Sequence, residues 1–261
     1  MPHVSVDGQQ LHYEDTGGDG QVVILSHGFL MDGDMFEPQV AALRDSYRVI
    51  TWDERGFGRT VFDGEPFTYW DSARDCLGLL DHLGVDQAVL GGMSQGGFLS
   101  LRAALLAPER VRALILLDTQ AGLDDPELLE GNRGMGEMWL SVGPVPELAG
   151  AVAEIIINES EVNAVWIAKW QERDKSLLEH PLDCLLSRDD LTDRLADISC
   201  PALVVHGTED TAITMDRAHT LAAGLPGAGA VVEVAGAHAA NLTNPVPVNA
   251  AIVGFLDGLA D

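Results

Sequence analysis

The sequence predicts an α/β protein in which a mostly parallel, eight-stranded sheet is covered by helices on both faces. Short apolar runs alternate with segments of helical periodicity over most of the 261 residues, and this alternation is typical of parallel sheets built from β-α-β units. Several runs are apolar at every position, as Val22-Val23-Ile24-Leu25 is, which favours strands buried on both faces. The first two runs flank Asp7-Gly8, a hairpin turn dipeptide, and predict an antiparallel edge.

The eight predicted strands follow the apolar runs in chain order. They cover residues 4–6, 11–14, 22–25, 47–52, 88–91, 111–117, 202–206 and 231–234. Helices are predicted at 36–44, at about 69–83, between the fifth strand and Pro108, and at 246–259. The second helix has Thr68 as a candidate N-cap and Gly84 as a stop signal, and its apolar residues recur at helical spacing.

Between about residues 120 and 198 the alternation of strands and helices stops. This segment has Gly/Pro punctuation at Gly143-Pro144-Val145-Pro146, helical-looking stretches and no strand-like run. We therefore predict that residues 1–119 and 199–261 form one core, and that residues 120–198 are a helical cap inserted after the sixth strand. A second, independently folded domain is the alternative, but the segment has few clear boundaries.

The net charge of −26 is the extreme property of the composition. Such an acidic surface argues against nucleic acid and anionic membranes as partners. No run approaches the roughly 18 unbroken apolar residues that a membrane span needs, and residues 1–8 lack the basic and apolar regions of a secretory signal. Three cysteines without metal-like spacing favour a reducing, cytoplasmic location.

Gly92-Met93-Ser94-Gln95-Gly96 is the motif with the most specific chemical meaning. A Gly-x-Ser-x-Gly pattern between a strand and a helix is typical of a nucleophile elbow, a sharp turn that presents the serine hydroxyl at the top of a sheet. The apolar run before it and the helix formers after it supply that context. The turn also places backbone N–H groups at a helix N-terminus, where a developing anion is stabilised.

A serine nucleophile needs a base that removes its proton and an acid that orients the base. Both are expected after the serine, on loops that follow strands. Asp210 lies after the strand that ends in His206-Gly207, and His238 follows the last strand. Glu209 and Asp118 remain alternatives for the acid.

Two further groups of residues have a structural interpretation. We expect His27 and His206 to be structural histidines, and Asp53 and Arg55 to pair within their own loop. The sequence has no cluster with metal-ligand spacing and no phosphate-binding glycine loop, so neither a metal site nor a cofactor is predicted.

These motifs occur in the order that is found in the α/β-hydrolase fold superfamily, which the chain resembles over nearly its whole length. The matching segments are His27-Gly28-Phe29, residues 53–58, the Ser94 pentapeptide, residues 206–210 and Gly236-Ala237-His238. The resemblance implies that Ser94 is the nucleophile, Asp210 the orienting acid and His238 the base. It also implies an oxyanion hole formed by the backbone N–H groups of Phe29 and Gln95.

Within the superfamily the chain is most similar to 3-oxoadipate enol-lactonases and small carboxylesterases. The similarity lies in residues 91–97, in Asp118-Thr119 and in residues 244–249. It implies a small-molecule carboxylic ester or lactone as substrate, cleaved through an acyl-enzyme. The candidates for lining an apolar acyl pocket are the cap residues Trp139, Trp166, Trp170 and Met138, with Met135 as an alternative to Met138; these side chains could instead only pack.

Other aspects of the substrate and the function stay open. A dicarboxylate lactone would require a cationic clamp, for which Arg133, Lys169 and Arg173 are candidates unless they are surface charges. The same three catalytic residues also serve cofactor-free perhydrolases of the haloperoxidase type, with peroxide as the acceptor. A ligand-binding protein of this fold with very slow turnover is a third possibility, and the oligomeric state is not predicted.

Overall fold

The computed structural model describes residues 3–259 and contains the predicted sheet. Its strands are β1 His3–Val6, β2 Gln9–Asp15, β3 Val22–Ser26, β4 Arg48–Trp52, β5 Ala88–Met93, β6 Val111–Leu117, β7 Ala202–Gly207 and β8 Val232–Val234. Their order across the sheet is β1-β2-β4-β3-β5-β6-β7-β8. The β1–β2 and β2–β4 pairs are antiparallel and the remaining pairs are parallel, which confirms the α/β class and the antiparallel edge.

Helices cover both faces of this sheet. In the described residues they are α1 Glu37–Leu43, α2 Tyr69–His82, α3 Gln95–Leu106, α4 Pro126–Val142, α5 Pro146–Ile156, α6 Ser160–Glu172, α7 Glu179–Leu186, α8 Met215–Gly224, α9 Ala240–Thr243 and α10 Pro245–Asp257. Helix α2 begins after Thr68, as predicted, because Thr68 and Asp71 form a reciprocal capping box. Helices α8 and α9 were not predicted from the sequence.

Each face of the sheet carries its own apolar layer. Side chains alternate across a strand, so Ile24 enters the layer beneath α2, α3 and α8. Its neighbours Val23 and Leu25 enter the layer on the opposite face, which α1 and α10 cover. Strands buried on both sides are therefore apolar at every position, which is why the sequence shows them as continuous apolar runs.

The chain between β6 and β7 leaves the sheet. In the described residues it forms α4, α5, α6 and α7 and no strand. Apolar residues of these helices, such as Trp139, Val152 and Leu182, join the layer on the second face, so the helices pack onto the sheet layer. The exact limits 120 and 198 of a cap stay a prediction, and the predicted core limits 1 and 261 lie outside the described residues.

The carboxyl ends of the parallel strands meet at one edge of the sheet. The segments after β3, β5, β7 and β8 carry Phe29, Ser94, Asp210 and His238, so the topology gathers residues that are up to 209 positions apart in the chain. This edge is where open α/β sheets bind their ligands. Among the described helices none combines the length and the hydropathy needed to cross a bilayer.

Candidate active site

Ser94 occupies the sharp turn between β5 and α3. Its backbone has φ 51° and ψ −113°, a conformation that costs a non-glycine residue about 1–3 kcal/mol and that persists only when its surroundings hold it. Here the Ser94 N–H donates to the Leu117 carbonyl at 3.0 Å, and the Ser94 carbonyl accepts a bond from Thr119 Oγ1 at 2.7 Å. Strand β6 and the residues after it thus hold the elbow in place.

The two glycines of the pentapeptide are required by the close approach of three backbone segments. A Cβ on Gly92 would lie 2.0 Å from the Gly96 carbonyl carbon, and a Cβ on Gly96 would lie 1.9 Å from the Ser26 carbonyl oxygen. Any side chain at either position would clash with backbone. The Gly-x-Ser-x-Gly spacing therefore has a direct steric cause in this chain.

His238 and Asp210 are joined by a short hydrogen bond. His238 Nδ1 lies 2.7 Å from Asp210 Oδ2. The second carboxylate oxygen, Oδ1, accepts the N–H groups of Ala212 at 2.8 Å and Ile213 at 3.0 Å. Since a carboxylate only accepts, the proton of a neutral His238 is on Nδ1, and Nε2 is left as its basic nitrogen.

The two partners shift each other's pKa in opposite directions. Burial lowers the pKa of His238, but the charge and hydrogen bond of Asp210, helped by the charge of Asp124, raise it above 6.5 overall. Burial raises the pKa of Asp210, but His238 and the Ile213 N–H outweigh it and lower the pKa overall. Both directions favour an imidazolium beside a carboxylate, the charge state that follows proton removal from a serine.

The other two candidate acids do not bond to the imidazole. Asp118 Oδ1 accepts the Gly207 N–H at 2.7 Å, and burial raises the pKa of Asp118 well above its ordinary value, which favours the neutral acid. Glu209 is exposed on the surface. Of the three acids that the sequence proposes, Asp210 alone lies within hydrogen-bond distance of His238.

The two remaining buried histidines near this edge make backbone contacts. His206 Nε2 donates to the Ile213 carbonyl at 2.8 Å, and burial lowers the pKa of His206. His27 donates from Nδ1 to the Gly28 carbonyl at 2.8 Å and accepts the Glu54 N–H at Nε2 at 2.9 Å. Both rings fix loops, as the sequence interpretation expects.

One group of side chains could in principle hold a metal ion. Donor atoms of Asp118, His206 and Asp210 lie within 4.8 Å of one another and are buried. Each of these residues also has a protein hydrogen bond, to Gly207, Ile213 and His238 respectively. A cation there would compete with His238 for the Asp210 carboxylate.

The N–H groups of Phe29 and Gln95 donate to no other described residue. Gln95 is the first residue of α3, and Phe29 lies beside Ser94 on the wall of the same cavity. Leu30, which follows Phe29, has a φ of 64°, and its carbonyl accepts a bond from Trp170 Nε1 of α6 at 2.6 Å. A helix of the predicted cap therefore holds the loop that carries the Phe29 N–H.

A cavity of about 130 Å³ opens over Ser94 and His238. Loops of the sheet edge form its floor, and side chains of α4, α5 and α7, such as Met135, Ile156 and Leu182, form its roof. The wall is mostly apolar. Since an apolar cavity of about 150 Å³ can hold benzene, this space suits an acyl or alcohol group of similar size.

The structure corrects most of the predicted pocket wall. Trp139 lines the cavity, as does Met135, but Met138 is 54% exposed and does not. Residues 135 and 139 share one helix face, whereas residue 138 is turned about 100° away from 139. The prediction of Trp166 and Trp170 as wall residues was also wrong. Lys169 Nζ lies 4.4 Å from the ring centroid of Trp166, and Trp170 is buried against Trp139.

None of the three cations proposed as a clamp lines this cavity. Arg133 lies near Glu130 on the surface, Lys169 pairs with Asp32 and Asp34 at 2.8 and 2.7 Å, and Arg173 donates to the carbonyls of Gly56 and Gly58. The contacts of Lys169 and Arg173 tie α6, and the residue that follows it, to loops of the core.

Among residues 3–259, Arg188 is the one arginine or lysine that lines the cavity, and the sequence did not predict it. Its Nη2 donates to Asp124 Oδ1 at 2.8 Å, and Gln120 Nε2 donates to the same oxygen at 2.7 Å. All three residues contribute to the cavity wall. No local pattern marks them, because Asp124 and Arg188 are 64 positions apart.

The expected pairing of Asp53 with Arg55 is also wrong. Arg55 forms a buried ion pair with Asp75 of α2, and Asp53 instead accepts bonds from Arg59 at 3.2 Å and from the Gly33 N–H at 2.8 Å. The two side chains, two positions apart, tie their loop to different elements.

The fold and this site together define a hydrolase of the α/β type, and comparison with known proteins agrees. The family model for the alpha/beta hydrolase fold matches residues 21–245. The chain therefore belongs to the α/β-hydrolase fold family.

Two curated relatives span nearly the whole chain. A protein of Synechocystis sp. named "Putative non-heme chloroperoxidase" is 30% identical over 277 residues, covering 98% of this chain and 100% of the relative. A protein of Azorhizobium caulinodans named "Putative carbamate hydrolase RutD" is 30% identical over 263 residues, covering 98% of each.

Two solved structures are similar over the same extent. A thermophilic esterase from Thermogutta terrifontis has a TM-score of 0.89 and 30% identity, covering 100% of this chain and 98% of that one. The enol-lactonase from Burkholderia xenovorans LB400 has a TM-score of 0.89 and 29% identity, covering 98% of this chain and 100% of that one.

Proposed function

We propose that this chain hydrolyses a carboxylic ester or lactone of a small molecule through a covalent acyl-enzyme. Ser94 is the nucleophile, His238 the general base and Asp210 the acid that orients it. The observation that carries the proposal is the 2.7 Å bond from His238 Nδ1 to Asp210 Oδ2, with His238 and Ser94 on the wall of one cavity.

The chemistry follows from these groups. Nε2 of His238 takes the Ser94 proton as the serine oxygen attacks the substrate carbonyl carbon. The resulting imidazolium is stabilised by Asp210 and returns the proton to the leaving alkoxide. Water then attacks the acyl-enzyme, with His238 again as base, and releases the acid and Ser94.

The developing negative charge needs preorganised donors. The N–H groups of Phe29 and Gln95 supply them, since both lack another acceptor among the described residues. Losing one such donor typically reduces turnover by about 10²–10³-fold. These steps use only protein groups and water.

Similarity to an esterase and to an enol-lactonase supports the choice of ester or lactone. Serine at position 94 also fits attack on a carbonyl. The partner is thus a small molecule. The net charge of −26 and the three free cysteines support a cytoplasmic location without nucleic acid or membrane partners.

A panel of p-nitrophenyl alkanoates, aryl esters and lactones tests the proposal, with wild type and Ser94→Ala assayed side by side. Wild type should turn over many times on at least one substrate, and Ser94→Ala should lose at least about 10³-fold in kcat with its fold intact. Retained activity in the variant would contradict the nucleophile. A single burst without further turnover would indicate a ligand-binding protein instead.

A perhydrolase activity is the second candidate, favoured by the name of the chloroperoxidase relative. It would use the same acyl-enzyme with peroxide in place of water as acceptor. Halogenation that depends on peroxide and on a carboxylic acid, measured beside ester hydrolysis, separates the two. Hydrolysis that exceeds peroxide-dependent halogenation by orders of magnitude would leave the esterase or lactonase activity as the main one.

A further inference from the structure

The mostly apolar cavity over Ser94 has one charged end. Asp124 lies on its wall and has only 8% of its side chain exposed. Arg188 and Gln120 both donate to one of its oxygens, Oδ1, at 2.8 and 2.7 Å. The second oxygen, Oδ2, accepts no hydrogen bond from any residue that the structure describes.

Two donors at Oδ1 fix the orientation of the Asp124 carboxylate. Oδ2 is not one of the fully buried unpartnered atoms of the described residues, so it keeps an accessible surface on a residue of the cavity wall, as a ligand-binding oxygen must. Two neighbouring atoms, Gln120 Oε1 and Arg188 Nε, are fully buried without a partner among the described residues. An unpaired buried polar atom is costly, so this end of the cavity is polar but incomplete.

The unbonded Oδ2 of Asp124 limits which ligand group can bind at this end of the cavity. A carboxylate oxygen accepts, so the complementary ligand group must donate a hydrogen bond. The Arg188 guanidinium already balances the Asp124 charge, so a ligand cation would bring an uncompensated charge into the cavity. A ligand carboxylate would face Asp124 directly. A neutral donor, either a hydroxyl or an amide N–H, satisfies the oxygen without adding charge.

The end also lies close to the reacting groups. The Asp124 charge is felt by the His238 ring, and both residues line the same cavity as Ser94. One substrate can therefore place its carbonyl carbon at Ser94 and a hydrogen-bond donor at Asp124 at the same time.

We propose that Asp124, oriented by Arg188 and Gln120, is a specificity-determining residue that selects esters or lactones carrying a neutral hydrogen-bond donor. This inference rests on the proposed function, since it names the substrate class of the same site. It also implies that a free carboxylate on the substrate is disfavoured.

Matched substrates test the proposal on the wild-type protein. The p-nitrophenyl esters of 3-acetamidopropanoate and 5-oxohexanoate differ by an N–H in place of a CH₂, as do those of 4-acetamidobutanoate and 6-oxoheptanoate. The esters of 6-hydroxyhexanoate and heptanoate form a hydroxyl and methyl pair. We expect the donor member of at least one pair to have a kcat/KM about 10-fold higher or more, the range of a hydrogen bond to a charged group.

Asp124→Asn gives a sharper result than loss of activity. The two donors at Oδ1 would hold the amide oxygen of asparagine, which turns the NH₂ group toward the cavity. The variant should then prefer an acceptor over a donor. The ratio of kcat/KM for the amide ester to kcat/KM for the matched ketone ester should therefore fall below the wild-type ratio. If the Asp124 side chain had only a structural role, the substitution would lower kcat/KM equally for both esters of a pair.

Asp125→Asn is the matched control. Asp125 is the next residue, is exposed, pairs with Arg217 at 2.8 Å and does not line the cavity, so its ratios should equal those of wild type. If Asp124→Asn fails to fold because Arg188 is left unpaired, the double variant Asp124→Asn/Arg188→Gln removes that charge and is assayed instead.

The outcomes separate the two proposals. Wild type that hydrolyses heptanoate and ketone esters without preferring any donor partner overturns the role of Asp124 and leaves the esterase assignment intact. Wild type that turns over none of these esters, nor any ester or lactone of the broader panel, contradicts the proposed function itself. A donor preference that survives unchanged in Asp124→Asn also overturns the role of Asp124.

Discussion

The indole nitrogen of Trp170 donates a 2.6 Å hydrogen bond to the carbonyl oxygen of Leu30. Trp170 belongs to α6, and Leu30 follows the residue whose N–H we assign to the oxyanion hole. Leu30 has a φ of 64°, which a branched side chain rarely adopts without support. The bond therefore couples a helix outside the sheet to the backbone geometry beside Ser94.

Trp170→Phe should lower kcat about 10-fold with little change in KM. The substitution keeps an aromatic ring but removes the N–H, so the Leu30 carbonyl loses its partner and the preceding peptide is free to turn. Steady-state kinetics on an apolar p-nitrophenyl ester measures the effect. Trp166→Phe, the same change on the same buried helix face, is the control and should leave kcat near wild type. Equal losses in both variants would reduce Trp170 to a packing residue.

Asp210→Asn should reduce kcat by about 10⁴-fold, because an amide cannot hold His238 in the tautomer with a proton on Nδ1. Asp118→Asn should cost less than about 10-fold, since Asp118 favours its neutral form and bonds to the Gly207 N–H. Pre-steady-state and steady-state assays of the two variants on one ester decide the matter. A larger loss in Asp118→Asn would move the orienting acid to the end of β6.

The acid limb of the pH profile should lie above the ordinary histidine range. His238 must be neutral to accept the Ser94 proton, and Asp210 raises its pKa above 6.5. Activity should therefore fall as the pH drops through that raised pKa. The profile of kcat/KM for an uncharged ester, with recovery checked after return to about pH 8, gives the midpoint. A midpoint at or below 6.5 would count against this environment for the base.

The stability advantage of Glu54→Gln over wild type should grow as the pH rises. Glu54 is buried beside the elbow, and burial raises its pKa well above 4.5, so the folded state keeps a proton that the unfolded state releases. Between the unfolded and folded pKa values the wild-type free energy of unfolding thus falls by up to about 1.4 kcal/mol per pH unit from this group. Glutamine has no such proton to lose.

Chemical denaturation at several pH values measures this difference. The two proteins should be closest in stability near the ordinary glutamate pKa, and the advantage of Glu54→Gln should grow above it. Glu109→Gln, on an exposed turn after α3, is a matched control that should show no such trend. A constant difference between Glu54→Gln and wild type at all pH values would mean that Glu54 is ionised in the fold.

Much of the fold could be predicted because its signals are local. Strands buried on both faces have continuous apolar sequences. Positions 92 and 96 must be glycine because any side chain there would clash with backbone atoms. The positions of Asp210 and His238 follow from the rule that parallel strands end at one edge. Helix α8, Met215–Gly224, was missed because its buried face consists of Ala218, Leu221 and Ala222, and small side chains give only a weak apolar period.

The rest of the site depends on contacts between distant segments. Nothing near Asp124 in the chain indicates Arg188, and nothing near Trp170 indicates Leu30. Met138 and Met135 differ only in helix register, which the sequence leaves undetermined without knowing which face of α4 meets the sheet. Such pairings are fixed by tertiary packing, and no short pattern encodes them.

The roof of the cavity and the groups that react come from separate stretches of chain. Helices α4, α5 and α7 form the roof, whereas Ser94, Asp210 and His238 stand on loops that follow β5, β7 and β8. Substitutions, insertions or exchange of the segment between β6 and β7 can therefore change which substrates enter the cavity without moving the nucleophile or its base. Laboratory evolution aimed at new substrates should begin in those helices, while keeping Trp170 so that the loop at Leu30 stays anchored.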